Sequence, residues 1–403
     1  MNHLVDISPL KNNRDYALLF LGQFISFIGT MITFVALPWQ VYQLTHSSFE
    51  VGLLSLFQFL PLLITALLGG VLADRYNRRK LVIFSECVLL VCCMLLICNA
   101  YLLHPKVSLI FVVSAAMAAI TGLHRPAFEG MTQQLVTFKN YKAVASLSSL
   151  KFSFCMIAGP ALGGLLIAQY GVVFTYVIDL FTFLISIITL CWMNPLKNVC
   201  EKEHLPVIKS LKEGLDFAVT RQELMGSYAV DFIAMIFAMP NALFPAIAHS
   251  LGGTSVLGFL YAAPAVGSLL LTFFSGWTSR VKQDGKAIAI AAGFWGLSMI
   301  GFGFSPNLPY ALLLALSGAF DSVSGIFRSS LWNNVIPHEY RGRLAGIEMI
   351  SYMGGPRLGD TRAGVVTLYL GITTSVVSGG VLCIVGVMAC CLLMPKFWAY
   401  KTP

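Results

Sequence analysis

The sequence predicts an all-α membrane protein with about twelve transmembrane helices in two pseudo-symmetric six-helix bundles. Three observations predict it: an apolar composition, apolar runs of spanning length, and basic residues sorted between those runs. The chain has 403 residues, 57% hydrophobic and 11% charged, with a mean hydropathy of +0.79. Soluble domains carry about 25% charged residues, because water must cover their surface. A chain this long with 11% charge cannot solvate its own exterior, whereas a bilayer suits it. In hydrocarbon the backbone amides must be satisfied within the helix, and about 20 apolar residues cross the layer.

The apolar runs divide the chain into spans at 16–42, 50–73, 81–103, 106–124, 145–168 and 172–194, then 224–248, 255–279, 286–305, 309–327, 344–371 and 373–394. The longest polar stretch, Asn194 to Gln222, carries Pro195, Pro206 and mixed charge. It predicts an N-terminal bundle over 1–194, a cytoplasmic linker over 195–222 and a C-terminal bundle over 223–403. Asp216, Phe217 and their neighbours read as an amphipathic helix lying against the membrane.

Orientation follows from the Lys and Arg bias. With the N-terminus inside, 23 of the 26 basic residues fall on the inner side; Lys106 is outside, and Arg357 and Arg362 lie within span eleven. Both termini are therefore expected in the cytoplasm. Met1 to Asp15 has no apolar core followed by a cleavage site, so span one is expected to be retained. The net charge of +8 is spread over short clusters with no interleaved stacking aromatics, a pattern that excludes a nucleic-acid partner. Nine of the ten cysteines fall in apolar stretches and Cys200 in a polar one, without metal-ligand spacing. Neither a disulfide framework nor a metal site is expected.

The two halves repeat. Gly70-Val71-Leu72-Ala73-Asp74-Arg75 with Arg78, Arg79 and Lys80 has a weaker echo at Gly276 to Lys282, offset near 206. Gly159-Pro160-Ala161-Leu162-Gly163-Gly164 pairs with Gly355-Pro356-Arg357-Leu358-Gly359-Asp360 at offset 196, and Arg125 with Arg328 at 203. Three correspondences in the same order point to a duplicated six-span unit.

On these residues the chain resembles the major facilitator superfamily, which implies the major facilitator fold. Gly70 to Lys80 is similar to the superfamily's loop signature between spans two and three: glycine, three residues, aspartate, arginine, then a basic run. Asn77 stands where the family usually has glycine, and asparagine is the next most tolerant residue in a left-handed turn. The resemblance implies that Gly70, Asp74, Arg75, Arg78 and Arg79 form a latch favouring one conformational state. Gly159 to Gly164 resembles the span-five signature of drug-exporting antiporters, with Cys155 replacing the usual upstream glycine. Asp321, Phe327-Arg328, Pro337, Arg341-Gly342-Arg343, Gly355 to Asp360 and Ala363-Gly364 resemble the enterobactin exporter family and its multidrug-efflux relatives.

Charges inside spans are costly in lipid and mark functional sites. Those singled out are Glu86, Asp179, Asp231, Asp321, Glu348, Arg357, Asp360 and Arg362. Glu86 and Glu348 lie about one turn from the inner surface and are expected to reach water. Asp321 and Arg328, seven apart, share a helix face; Arg357 and Asp360, three apart, are spaced to pair. Proton coupling is assigned to Asp360, Asp321, Asp231 and Asp179, and solute binding or a charge network to Arg357, Arg362 and Arg328. Gly159, Pro160, Gly163, Gly164, Gly355 and Pro356 are expected to gate or to pack, since small residues let helices approach and proline permits a bend. Trp39, Tyr42, Phe57, Phe59, Trp295, Phe320 and Trp332 are candidates for a cavity or an interface belt.

The expectation is a monomeric, bacterial inner-membrane exporter of a small organic solute, such as a siderophore or drug. It would work by proton antiport and alternating access, with no cofactor beyond the proton gradient. No phosphate-binding loop is present to couple ATP. An importer of an organic anion or sugar is the alternative. A polytopic enzyme would need a catalytic constellation, and neither HExxH nor GxSxG occurs.

Overall fold

Apolar runs of this length fold as helices because a backbone facing lipid has no other partner for its N–H and C=O groups. The computed structural model describes residues 6–137, 140–195, 207–304, 307, 311–337 and 340–402. Within its helices, the side chains of 67, 70, 71, 73, 74, 207–212, 311, 341–343 and 345–350 lie outside the described residues, which removes Gly70, Asp74 and Glu348 from the account. Residues 196–206 of the expected linker are likewise outside it.

The helices are α1 (Ser8–Asn12), α2 (Arg14–Thr45), α3 (Ser48–Arg75), α4 (Arg78–Ala100), α5 (Val107–Leu135), α6 (Tyr141–Cys191) and α7 (Val207–Thr220). They continue with α8 (Gln222–Phe237), α9 (Phe244–Leu251), α10 (Thr254–Phe273), α11 (Asp284–Phe304), α12 (Ala311–Val335), α13 (Arg341–Leu393) and α14 (Pro395–Trp398). Among the described residues, nine helical stretches are long and apolar enough to cross a membrane. Two of these are double. The 51-residue α6 and the 53-residue α13 each break at one glycine with positive φ, Gly171 (78°) and Gly371 (82°). Glycine adopts that conformation without a Cβ penalty, so the chain reverses there with almost no loop. Counted as four crossings, and with the 25-residue α12 added, they match the expected set of about twelve.

The chain divides into two compact units, Met1–Leu44 with Leu60–Glu203, and Thr45–Phe59 with His204–Pro403. The start of α3 thus packs with the second unit, a division that apolar patterning does not carry. In the first unit, Leu19, Val82, Ala127, Met131, Leu190 and Met193 join α2, α4, α5 and the end of α6 in one buried cluster. In the second, α8 and α11 pack on α13, and α10 and α11 on α12. Phe397 of α14 is fully buried against Gly226 and Gly285.

The duplicated glycines take matching places in their own units. A Cβ on Gly163 would stand 3.2 Å from the Ile32 carbonyl of α2. One on Gly359 would stand 3.0 Å from the Ile236 carbonyl of α8. Gly159 faces Met31, and Gly355 faces Met235. Each small face brings α6 or α13 within backbone contact of the first helix of its repeat.

Several expectations are corrected. Asn77 is extended (φ −61°, ψ 113°) rather than left-handed, and its side chain accepts the Lys80 N–H at 3.2 Å. It is an N-cap of α4, a role asparagine performs well. Helix α7 forms where the amphipathic segment was expected, with Phe217 stacked on Tyr340 at 4.4 Å, Ala218 buried, and Leu215 and Val219 exposed. Helix α5 runs to Leu135, beyond the apolar run, because helical hydrogen bonding does not stop where apolarity does. Span eight ends at Phe273, followed by a 3₁₀ turn over Ser275–Arg280.

Candidate functional site

The site begins with a fault in span seven. Pro240 lacks an N–H and disfavours helix at the residue before it. The expected continuous span 224–248 is therefore broken: α8 ends at Phe237, a 3₁₀ turn covers Asn241–Leu243, and α9 starts at Phe244. The break frees backbone groups at membrane depth, where each needs a partner. Asp360 of α13 supplies one, its Oδ1 accepting the Ala242 N–H at 2.8 Å. Arg362 Nη2 donates to the Phe237 carbonyl at 3.3 Å, Trp295 Nε1 to the Ala238 carbonyl at 3.1 Å, and the Tyr261 hydroxyl to the Asn241 carbonyl at 3.2 Å. Trp295 is therefore a buried prop of the break rather than a residue of an interface belt.

The second Asp360 oxygen accepts from Ser55 Oγ at 3.1 Å, and Thr361 Oγ1 donates to the Gly52 carbonyl at 3.2 Å. These contacts seat the start of α3 on α13. Asp360 itself is buried, at 8% exposure. Arg362 Nη1 reaches the Ser375 carbonyl at 3.3 Å across the Gly371 break, and its guanidinium lies 5.8 Å from the Phe237 ring. Arg357 turns back one helical turn to donate to the Met353 carbonyl at 2.9 Å. The direct Arg357–Asp360 pair is absent among the described residues; the carboxylate's oxygens accept from Ala242 and Ser55 instead. The Nε atoms of Arg357 and Arg362 are buried with no hydrogen-bond partner among the described residues.

A second group lies in the same unit. Arg328 of α12 forms an ion pair with Asp231 of α8 and a longer one, 3.5 Å, with Asp321 two turns back on its own helix. Ser351 Oγ also approaches Asp231 Oδ2 at 3.4 Å. The shared face expected for Asp321 and Arg328 is present, and the structure adds Asp231 to it. Trp332, one turn beyond Arg328, donates to Ser227 Oγ at 3.1 Å.

The first unit holds the remaining candidate. Asp179, in the second half of α6, is fully buried. It accepts from Thr33 Oγ1 at 2.5 Å, from Thr182 Oγ1 at 3.1 Å and from Cys93 Sγ at 3.5 Å, all neutral donors. Sequence reading missed a neighbouring cluster around Glu86. Rather than reaching water, Glu86 is 1% exposed and accepts from Gln23 Nε2 at 2.6 Å and Ser26 Oγ at 3.2 Å, with His124 Nε2 at 3.3 Å. The signal was there: Gln23, Ser26 and Glu86 are polar residues within apolar runs, spaced to face inward. Pro240-Asn241, followed by Pro245, likewise marked the break in span seven.

Of the expected latch, Arg75 is exposed. Arg78 Nη1 donates to the Gly130 carbonyl at 3.0 Å, and Arg79 donates to the Leu190 and Cys191 carbonyls at 2.9 Å. Arg79 thus sits at the last turn of α6, where cations are favoured, and Arg78 binds a carbonyl within α5.

Two repeated helical units, a broken membrane helix and buried ions, together with the match of the family profile, define a multi-pass transporter of the major facilitator superfamily, not an enzyme. More closely, the chain belongs to the transmembrane secretion effector family, whose sequence profile matches residues 5–401. It is 25% identical to the enterobactin exporter EntS of Shigella boydii serotype 18, over 99% of this chain and 97% of that one. The same identity and coverage hold for EntS of Escherichia coli strain K12. In fold it is similar to a mutant of the nucleoside transporter NupG, with a TM-score of 0.78 at 12% identity over 94% of this chain and 99% of that one. A POT family transporter in complex with 5-aminolevulinic acid gives 0.74 at 10% identity, over 96% and 97%.

Proposed function

We propose that the protein exports a small organic solute, a siderophore or a drug-like compound, across the bacterial inner membrane in exchange for protons. It acts as a monomer without a resident cofactor, with both termini in the cytoplasm. The orientation rests on the sorting of basic residues. The export direction and the siderophore class are supported by the kinship with enterobactin exporters.

The observation that carries proton coupling is the bond between the Asp360 carboxylate and the Ala242 N–H. Ionised, Asp360 makes a charge-assisted bond to the broken span seven and attracts the two nearby arginines. A proton on that carboxylate removes the charge, weakens the cap and frees the segment from Ala238 to Leu243 to shift. Solute release and proton uptake then favour different positions of one discontinuous helix, which is the requirement of an alternating-access cycle.

The test is transport into everted vesicles, with proton-driven accumulation of siderophores and of cationic drugs measured side by side. Asp360→Asn is expected to abolish the dependence on the gradient. Unchanged coupling in that variant removes Asp360 from the mechanism, and accumulation confined to right-side-out vesicles reverses the direction.

A further inference from the structure

Outside the groups already described, a partly buried cation lies against aromatic rings. Lys151 lies in about the third turn of α6, half-buried inside the first unit. Its Nζ sits 4.8 Å from the centroid of the Phe128 ring of α5 and 5.7 Å from that of Phe20 of α2. Among the described residues no carboxylate forms an ion pair with it: Glu129 is engaged by Arg125, and Glu86 by His124. Ring faces attract a cation through their quadrupole, which holds the ammonium in place but leaves its charge uncompensated. A half-desolvated ammonium of this kind attracts an anion strongly, because little water has to be displaced from it.

The surroundings define what kind of anion. Phe20 continues into Phe24, with centroids 6.4 Å apart and planes 9° apart, and Phe24 meets Phe154 at 5.6 Å. On the other side, His124 stacks on Phe128 at 6.0 Å and 8°. The cation is therefore set in a partly open band of flat rings, and Phe154 is 51% exposed. A small inorganic anion would satisfy the charge and leave the rings unused, whereas an aliphatic acid would miss the stacking.

We propose that Lys151, framed by Phe20 and Phe128, is a binding site for an anionic aromatic solute, one whose carboxylate or equivalent acid meets Nζ while its ring stacks within the band. The inference rests on the export reading, since it names that reading's solute class. It places first contact on α6 in the first unit, whereas the Asp360 group belongs to the second. An anionic lipid headgroup shares the acidic half of this chemistry but lacks the ring.

The test is equilibrium dialysis of radiolabelled 2-naphthoate against the full chain in phosphatidylcholine nanodiscs. Wild-type protein is expected to bind it. Cyclohexanecarboxylate, which lacks a flat aromatic ring, and tetraphenylphosphonium, which lacks the negative charge, are expected to compete at least about tenfold more weakly. Lys151→Met should weaken binding about tenfold or more, Lys151→Arg by less than about threefold, and Phe128→Leu by an intermediate factor. The wild-type competition decides the matter even if a variant does not fold. Equal binding by Lys151→Met, equal competition by tetraphenylphosphonium, or displacement of naphthoate by added phosphatidylglycerol overturns the assignment. Proton-driven transport of a cationic dye by wild-type vesicles with no naphthoate binding overturns this site and leaves export intact. Naphthoate binding as expected, with no gradient-driven movement of any probe, overturns proton-coupled export and leaves the site standing.

Discussion

Asp360 and Ala242 are 118 residues apart in sequence and joined by a 2.8 Å hydrogen bond between a buried carboxylate and a backbone N–H. The bond exists because Pro240 interrupts span seven and leaves that N–H without a helical acceptor. The carboxylate therefore has two attributes in one atom set: it repairs a broken helix, and it is the charge that a proton would cancel.

The two attributes separate by substitution. Asparagine at 360 retains a carbonyl oxygen for Ala242, so Asp360→Asn is expected to fold while losing gradient dependence. Asp360→Ala leaves the N–H and the Ser55 hydroxyl unpaired, and is expected to cost a further ~1–3 kcal/mol of stability. Thermal unfolding in detergent, run beside the transport assay, distinguishes them. Equal stability of the two variants would show that the cap carries no weight.

Pro240→Ala restores an N–H and lifts the restriction on the residue before it. A more continuous α8–α9 is expected, with slower transport at unchanged expression. Hydrogen exchange over residues 236–244 should fall in the variant; faster exchange there would contradict the account of the break.

Arg328 neutralises Asp231 and stands 3.5 Å from Asp321. Arg328→Gln is expected to destabilise the protein by about 3–5 kcal/mol, because it strands buried negative charge. Adding Asp231→Asn should recover much of the loss. An additive double variant, measured by thermal unfolding, would mean that the pair is not coupled.

Thr33 makes the shortest of the bonds to Asp179. Thr33→Val is expected to cost about 1–3 kcal/mol by leaving a buried acceptor short of a donor, and Thr33→Ser to restore most of it. Equal stability of the valine and serine variants would argue that the bond contributes nothing.

The close approach at Gly159 and Gly355 is tested by enlarging each. A Cβ on Gly355 would stand 2.7 Å from Met235 Cβ, so Gly355→Leu is expected to separate α13 from α8 and cost ~1–3 kcal/mol or more. Gly159→Leu should act alike against α2. Loss of transport with stability unchanged would instead assign these glycines to motion.

Legibility followed the range of the interaction. The spans, the repeat at Gly159 and Gly355, and the shared face of Asp321 and Arg328 were readable because each depends on spacing within one helix or on comparison of two segments. The partners of Asp360 were not. Spacing pointed to Arg357 three residues away, whereas the acceptors are occupied by Ala242 and by Ser55, 305 residues distant. Glu86 was misread for the same reason: its depth along the helix was near the surface, but Gln23, Ser26 and His124 close over it.

By itself, then, the sequence determined that this chain lives in a bilayer as paired helical repeats, because hydrophobicity and helical periodicity act locally and are written residue by residue. Which buried charge meets which partner was decided only by tertiary structure. A carboxylate in low dielectric takes whatever donor the packing brings within about 3 Å, and that choice depends on where a proline breaks a distant helix.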